Sequence, residues 1–351
     1  MSLLVYGAYG YTGRLVTERA VDVGLTPIVA GRDRTRVVDM ATRYGLQHRV
    51  FSLANPEAVA RALDSIDTVV HCAGPFVDTA QPMVAACLQT GTHYLDITGE
   101  VEVFEALADQ DDHATEAGIV LLPGVGFDVV PTDCLAAHVH EQVPDAHTLD
   151  LAFMGLGRVS QGTLRTAVGQ MGAGGVVRRN GALQTVPPGW TTRTVDFGAD
   201  GPGERTVISI PWGDLATAYR STHIPNITTY TYLPQTARTL LQLSRYVQWL
   251  LQAPIVQTLL ERWVEQLPAG PSADEREEGE TFVWANARTA DGTSATARLR
   301  GPEGYTFTAH AAVAAAQHVL RGDVAPGYQT PATALGADFV LSIDGVSRED
   351  L

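Results

Sequence analysis

Residues 1–16 read MSLLVYGAYGYTGRLV, with Gly7, Gly10 and Gly13 spaced three apart directly behind a short apolar run. With 34 glycines in 351 residues, a GxxGxxG spacing arises by chance about 0.3 times, so its surroundings decide its meaning. Leu3-Leu4-Val5-Tyr6 reads as a buried strand, and Arg14 to Val23 as an amphipathic helix. A strand, a glycine turn and a helix start bring backbone N–H groups and the positive end of a helix dipole to one point, where a pyrophosphate is stabilised. The missing Cβ atoms let the backbone approach the phosphates and let helix and strand pack closely. Gly7, Tyr9, Gly10, Tyr11, Thr12 and Gly13 are therefore expected to hold a dinucleotide. A second copy, with Gly169, Gly172 and Gly175, has no strand before it and reads as a flexible loop or helix end.

Outward from that turn, strands and helices alternate. PIVAG (27–31) is a second strand, followed by a helix ending at Gly45 and a third strand, HRVFSL. Asn55-Pro56-Glu57 caps a helix running to Asp64, with proline at its first position. DTVVHCAG, a helix over QPMVAACLQTG stopped by Gly91, HYLDIT, a helix over 101–117 and IVLLPG complete the series. Single helices between strands imply right-handed crossovers and a Rossmann-type, doubly wound parallel sheet in an α/β fold.

Beyond this the rhythm changes. HTLDLAFMG, TTRTVDFG, RTVISIP, TTYTYLP, TFVWANART and SATARLRG read as strands without helices between them, with a hairpin turn at 290–292. The spacing predicts a second, α+β domain on a mixed or antiparallel sheet, interrupted by helical stretches over about 160–180 and 236–266. The second stretch is rich in Leu, Val and Trp and breaks near Pro254; it suits a core or dimer-interface helix pair, a lid, or a lipid-surface contact. ADEREEGE (273–280) reads as a solvated loop. An alanine-rich helix and GYQTPATALG close the chain and are expected to fold back on the nucleotide domain. The expected division is residues 1–135 for the Rossmann domain, 136–305 for a substrate and dimerisation domain, and 306–351 for the returning helical segment.

The formal net charge of −15 argues against nucleic acid, whose phosphates demand a basic face. No stretch approaches 18 consecutive apolar residues and the N-terminus has no secretory pattern, which places the protein in the cytoplasm. Cys72, Cys87 and Cys134 lie in apolar runs and read as buried thiols. There is no lysine, so all 24 basic residues are arginine; Schiff-base chemistry, a Walker lysine and a Tyr-x-x-x-Lys pair are excluded. The histidines show no metal-ligand spacing, and no metal is expected.

In NAD enzymes an acidic residue ends the second strand and binds the ribose 2′-hydroxyl. Here that strand ends in Ala30-Gly31-Arg32-Asp33-Arg34. Guanidinium pairs bidentately with phosphate, so Arg32 and Arg34 point to the 2′-phosphate of NADP(H); Asp33 is the rival if the strand ends one residue later. Three further loops should emerge at the carboxyl ends of the strands. Ala73-Gly74-Pro75 removes bulk where the cofactor passes. Tyr94–Glu100 and Pro123–Asp128 supply Asp96, Glu100 and Asp128, the carboxylates best placed to relay a proton or orient a substrate. Asp96 has the alternative of bonding backbone amides, and Thr132 and Asp133 of capping a helix.

GAYGYTGRLV, AGRD, HCAGPF, THYLDITGE and PGVGFDVVPTD, in this order, resemble the saccharopine dehydrogenase-like oxidoreductases, in particular the branch with the trans-acting enoyl reductases. The resemblance implies an inserted substrate domain, NADP(H) held by Gly7, Gly10, Gly13, Arg32 and Ala73-Gly74-Pro75, and a homodimer. It does not name a substrate. The expected function is an NADPH-dependent reductase passing hydride to a C=C or C=N bond of a small or lipid-like substrate in an interdomain cleft. The alternative is a non-catalytic NADP(H)-binding redox sensor.

Overall fold

The alternation of apolar strands and single helices builds the first half of the chain. The computed structural model describes residues 1–155, 159–170 and 174–351. Strand β1 (Leu3–Tyr6) is followed by α1 (Tyr11–Asp22), β2 (Ile28–Gly31), α2 (Arg34–Tyr44), β3 (His48–Val50), α3 (Pro56–Leu63) and β4 (Thr68–His71). Then come α4 (Phe76–Thr90), β5 (His93–Asp96), α5 (Val101–Ala108), α6 (Asp111–Ala117) and β6 (Val120–Leu122). The strands pair in parallel in the order β6-β5-β4-β1-β2-β3, and β1 and β4 are buried along their whole length. Asn55 accepts from the Ala58 N–H at 3.0 Å with Pro56 at the first helical position, as the sequence predicts for α3.

Two helices differ from expectation. The helix predicted over 101–117 is two helices broken at Asp109 and Gln110. Asp111 and Asp112 stand in the first turn of α6, where the helix dipole favours negative charge over a mid-helix position. Helix α4 begins five residues before the expected Gln81 and carries Pro82 inside it, because its start is capped by a distant side chain described below.

Helix α7 (Val130–Gln142) leads into the second unit, which contains β7 (Thr148–Gly155), α8 (Gln161–Gln170), β8 (Gly175–Arg179), β9 (Ala182–Val186), β10 (Thr192–Asp196) and β11 (Glu204–Ser209). After these come α9 (Asp214–Thr222), β12 (Asn226–Tyr232), α10 (Gln235–Ser244), α11 (Gln248–Leu251), α12 (Pro254–Glu265), α13 (Ala273–Glu278), β13 (Glu280–Arg288) and β14 (Ser294–Pro302). Of the helix expected to about 180, α8 covers the described part to Gln170, residues 171–173 lie outside the described residues, and residues 175–186 form the β8–β9 hairpin instead. Asn180 (φ 50°) and Gly181 (φ 80°) make its turn, the left-handed pair that two-residue hairpins require. Gly172 of the second GxxGxxG lies outside the described residues. The acidic stretch expected as a loop forms α13, through a capping box between Ser272 and Glu275.

The returning segment comprises α14 (Gly304–Arg321), β15 (Gly327–Tyr328), α15 (Pro331–Leu335) and β16 (Ser347–Asp350). Strand β15 extends the parallel sheet beside β6, whereas β16 pairs with β14. The two compact units are therefore Met1–Val130 with Tyr305–Phe339, and Pro131–Gly304 with Val340–Leu351. The last twelve residues leave the nucleotide unit, unlike the whole-segment return expected over 306–351.

The second sheet is mixed: β12 and β7 are parallel, and the order β10-β11-β12-β7-β13-β14-β16 is otherwise antiparallel. It is strongly rolled. Arg298 on β14 lies 3.3 Å from Asp196 on β10, yet five strand spacings, about 24 Å, would separate these strands in a flat sheet. Alternate residues line the inside of the roll, where Ala152, Met154, Val195, Phe197, Val207, Tyr230, Phe282 and Trp284 form an apolar core. Their neighbours Leu149, Leu151, Ile227, Ala285 and Ala297 are buried on the other face.

Candidate functional site

All sequence-predicted site residues fall at the carboxyl ends of the parallel strands of the first unit. Gly7 follows β1 with φ +79°, and a Cβ there would lie 2.9 Å from the Ala73 Cβ. The glycine turn thus packs directly against the Ala73-Gly74-Pro75 loop that follows β4. The Gly7 and Ala8 N–H groups donate to the Ala30 carbonyl, and Gly10 N–H to the Gly7 carbonyl at 2.9 Å. A Cβ on Gly13 would overlap the Gly7 carbonyl oxygen, so the first turn of α1 lies flat on the loop only because this position is glycine. Helix α1 starts at Gly10 with no side-chain cap and no acidic residue in its first turn. Tyr11 packs edge-on against Tyr305 of α14, 5.1 Å between ring centres.

At the end of β2 the arginines dominate. Arg32 and Arg34 are exposed, and Asp33 is the N-cap of α2, accepting from the Arg36 N–H at 3.1 Å. The carboxylate that competed for a ribose role is thus engaged in capping. Arg36, which sequence reasoning missed, stacks 4.5 Å over the Tyr9 ring and donates to the Tyr9 carbonyl at 3.2 Å. Tyr9 in turn lies across Gly31, where a Cβ would strike its ring. Three cations therefore stand in the first turn of α2 or beside it, where the helix dipole disfavours them; an anion bound there would offset that cost.

The three carboxylates have different surroundings. Asp96 ends β5 fully buried; its Oδ2 accepts from the Tyr94 hydroxyl at 2.7 Å, and its Oδ1 accepts from the Thr98 and Gly124 N–H groups at 2.9 Å each. Burial pushes its pKa up to about 6 against the pull of these donors. Asp96 thereby ties the loop after β5 to the loop after β6. Glu100 is buried and caps α4, accepting from the Phe76 N–H at 3.0 Å and the Val77 N–H at 2.8 Å. Burial also raises its pKa, opposed by those two bonds. Asp128 packs over the backbone of Gly99, whose added Cβ would lie 3.0 Å from the carboxyl. Desolvation, helped by the Glu100 charge, lifts Asp128 to about 7. Its loop is anchored to α14, the Thr308 hydroxyl accepting from the Phe127 N–H at 3.0 Å.

His71 closes β4 behind the Ala73-Gly74-Pro75 loop, fully buried beside Tyr6, Phe76 and Tyr94, and among the described residues neither ring nitrogen has a hydrogen-bond partner. Desolvation drops its pKa to about 3, so the ring is neutral and serves as an aromatic wall. Thr132 and Asp133, considered as caps, lie in the first turn of α7, where Asp133 accepts from the Ser221 hydroxyl at 2.6 Å.

A parallel sheet with its order reversing at β1 and β4, a glycine cradle that a Cβ would fill, and an uncapped helix start define a Rossmann-type dinucleotide-binding unit. Residues 3–122 match the family model of the saccharopine dehydrogenase NADP binding domain, which makes NADP(H) the cofactor of this stretch. The chain is 25% identical over 192 residues to a bovine (Bos taurus) saccharopine dehydrogenase-like oxidoreductase, covering 47% of this chain and 45% of that protein. It is 28% identical over 157 residues to a trans-acting enoyl reductase of Mycobacterium leprae, covering 42% and 38%. The chain thus spans about half the length, or less, of these curated relatives. The structure of apo saccharopine dehydrogenase (L-Glu forming) from Saccharomyces cerevisiae superposes with a TM-score of 0.69 over 100% of this chain and 99% of that one, at 13% identity, a likeness of fold. The resemblance carried by the loop motifs is borne out. Among the described residues, no helix is long and apolar enough to cross a membrane.

Proposed function

We propose that the protein is an NADPH-dependent oxidoreductase that reduces a C=C or C=N bond of a small or lipid-like substrate. The observation that carries this reading is the glycine cradle packed on Ala73 beside the exposed Arg32 and Arg34. Gly7, Tyr9, Gly10, Tyr11, Thr12 and Gly13 hold the pyrophosphate. Arg32 and Arg34 hold the 2′-phosphate, with Arg36 keeping Tyr9 in place. Ala73-Gly74-Pro75 gives the nicotinamide half a close path. When bound, NADPH supplies the hydride. Of the three carboxylates, Asp128 suits proton donation best, since a pKa of about 7 leaves it substantially protonated at neutral pH. Asp96 and Glu100 position the loops around it through the backbone donors they accept from.

The reading places the enzyme in the cytoplasm as a homodimer. Leu240, Trp249, Ile255, Leu259 and Trp263 on α10–α12 are exposed and offer the apolar surface that an interface between copies needs; sedimentation velocity checks the dimer. Stopped-flow oxidation of bound NADPH by a panel of enones and imines tests the activity. Turnover with one acceptor class supports the proposal. Tight NADPH binding with no turnover on any acceptor favours a redox-sensing binding protein instead.

A further inference from the structure

The rolled sheet of the second unit opens at one end into a cavity of about 390 Å³, lined in part by Thr148, Asp150, Arg179, Trp190, Thr228 and Arg288. Its floor is a polar layer on top of the apolar core. There Arg193 from β10 pairs with Asp150 of β7, reaches the Asn286 side-chain oxygen at 3.5 Å, and stacks 4.8 Å from the Trp284 ring. The Tyr230 hydroxyl donates to the other Asp150 oxygen at 3.4 Å. Asp150 is therefore neutralised before the remaining cations are considered. Arg288 approaches it only to 3.9 Å. Arg179 donates to the Thr228 hydroxyl at 3.1 Å and to the Arg178 carbonyl at 3.0 Å, and its charge acts on Asp150 more weakly than those of Arg193 and Arg288.

Three guanidinium groups thus surround one carboxylate, leaving two positive charges in one cavity of a chain whose net charge is −15. Such a local excess is costly without a counter-charge, because like charges repel and each must be partly desolvated. Trp190 at the cavity wall is 54% exposed, a large flat apolar surface left against solvent. The cavity's volume lies within the range of small-molecule sites, and its lining is mostly polar.

We propose that this cavity binds a small organic anion, its carboxylate or phosphate oxygens held by Arg179 and Arg288 and its planar part lying on Trp190. Guanidinium forks match an oxyanion bidentately; the Thr228 hydroxyl, accepting from Arg179 at 3.1 Å, and the Arg288 carbonyl, accepting from the Thr148 hydroxyl at 3.4 Å, hold the two arginine-bearing segments at the cavity. Every residue invoked belongs to the second unit, so the site stands independently of the reductase reading.

Calorimetric titration of the full-length protein with benzoate and, separately, inorganic phosphate tests the proposal, with tryptophan fluorescence followed in parallel. Both anions should bind. Arg179→Gln and Arg288→Gln should each weaken both by about tenfold or more. Trp190→Phe should remove most of the fluorescence change, and Trp190→Ala should weaken benzoate while leaving phosphate unaltered. Arg61→Gln, on the exposed face of α3, should change nothing, and NADPH affinity should be the same in all these variants. No binding of either anion at about 10 mM, a weak affinity by any scale, would overturn the proposal. So would binding that is indifferent to both cavity arginine changes.

Discussion

In the first unit Arg32, Arg34 and Arg36 stand within five residues at the start of α2, whereas in the second Arg179, Arg193 and Arg288 reach one cavity from β8, β10 and β13. The first cluster is local. Its geometry follows from one strand end and one helix start, with a glycine turn beside it. The second exists only because the sheet rolls far enough to carry β10 over β7 and β13. Both collect cations, but one is encoded by adjacent residues and the other by tertiary structure.

The sharpest way to break the first site is at the loop that carries its proton-donor candidate. Asp128→Asn should lower NADPH-dependent turnover by about 10²-fold or more, within the range for loss of a general acid, with NADPH affinity unchanged; single-turnover kinetics separates the two. A variant with full turnover would move the proton donor elsewhere. Gly13→Val should weaken NADPH by about 100-fold, because a side chain overlapping the Gly7 carbonyl must displace the cradle; circular dichroism checks that the fold persists. Replacing Arg32 and Arg34 together by glutamine should cost about tenfold or more in NADPH affinity and spare NADH, with no effect on anion binding in the second unit.

Smaller effects belong to stability. Glu100→Gln removes one of two strong acceptors from the start of α4 and should destabilise by about 1–2 kcal/mol, seen as a lower denaturation midpoint. For Asp128 the sign is opposite. Its folded pKa of about 7 lies above its ordinary value of 3.8, so between these pH values the folded state binds more protons than the unfolded chain. Stability falls as pH rises through that window. Asp128→Asn should therefore melt about 2–4 °C above wild type at pH 8, an advantage that shrinks toward pH 4.

What could be read from the sequence follows the same division. The glycine turn, the Asn55-Pro56 helix start and the loops after β1, β2, β4, β5 and β6 were legible because each is set by residues within a few positions of one another. The β8–β9 hairpin was also encoded locally, by Asn180-Gly181, but the apparent helix before it hid the signal. Three features were not legible. Glu100 caps a helix that starts 24 residues earlier in the chain. Arg36 meets Tyr9 only because β1 and β2 lie side by side. The anion cavity needs the roll of the second sheet, which no local pattern reports.

The central claim is that the cradle and arginines of the first unit select NADP(H). Titration calorimetry of the wild-type protein with NADPH and NADH, repeated on Arg32→Asp, tests it most directly. The account predicts micromolar NADPH binding, at least about tenfold weaker NADH binding, and loss of that preference in the variant. It is contradicted if neither nucleotide binds, or if the variant keeps the wild-type preference.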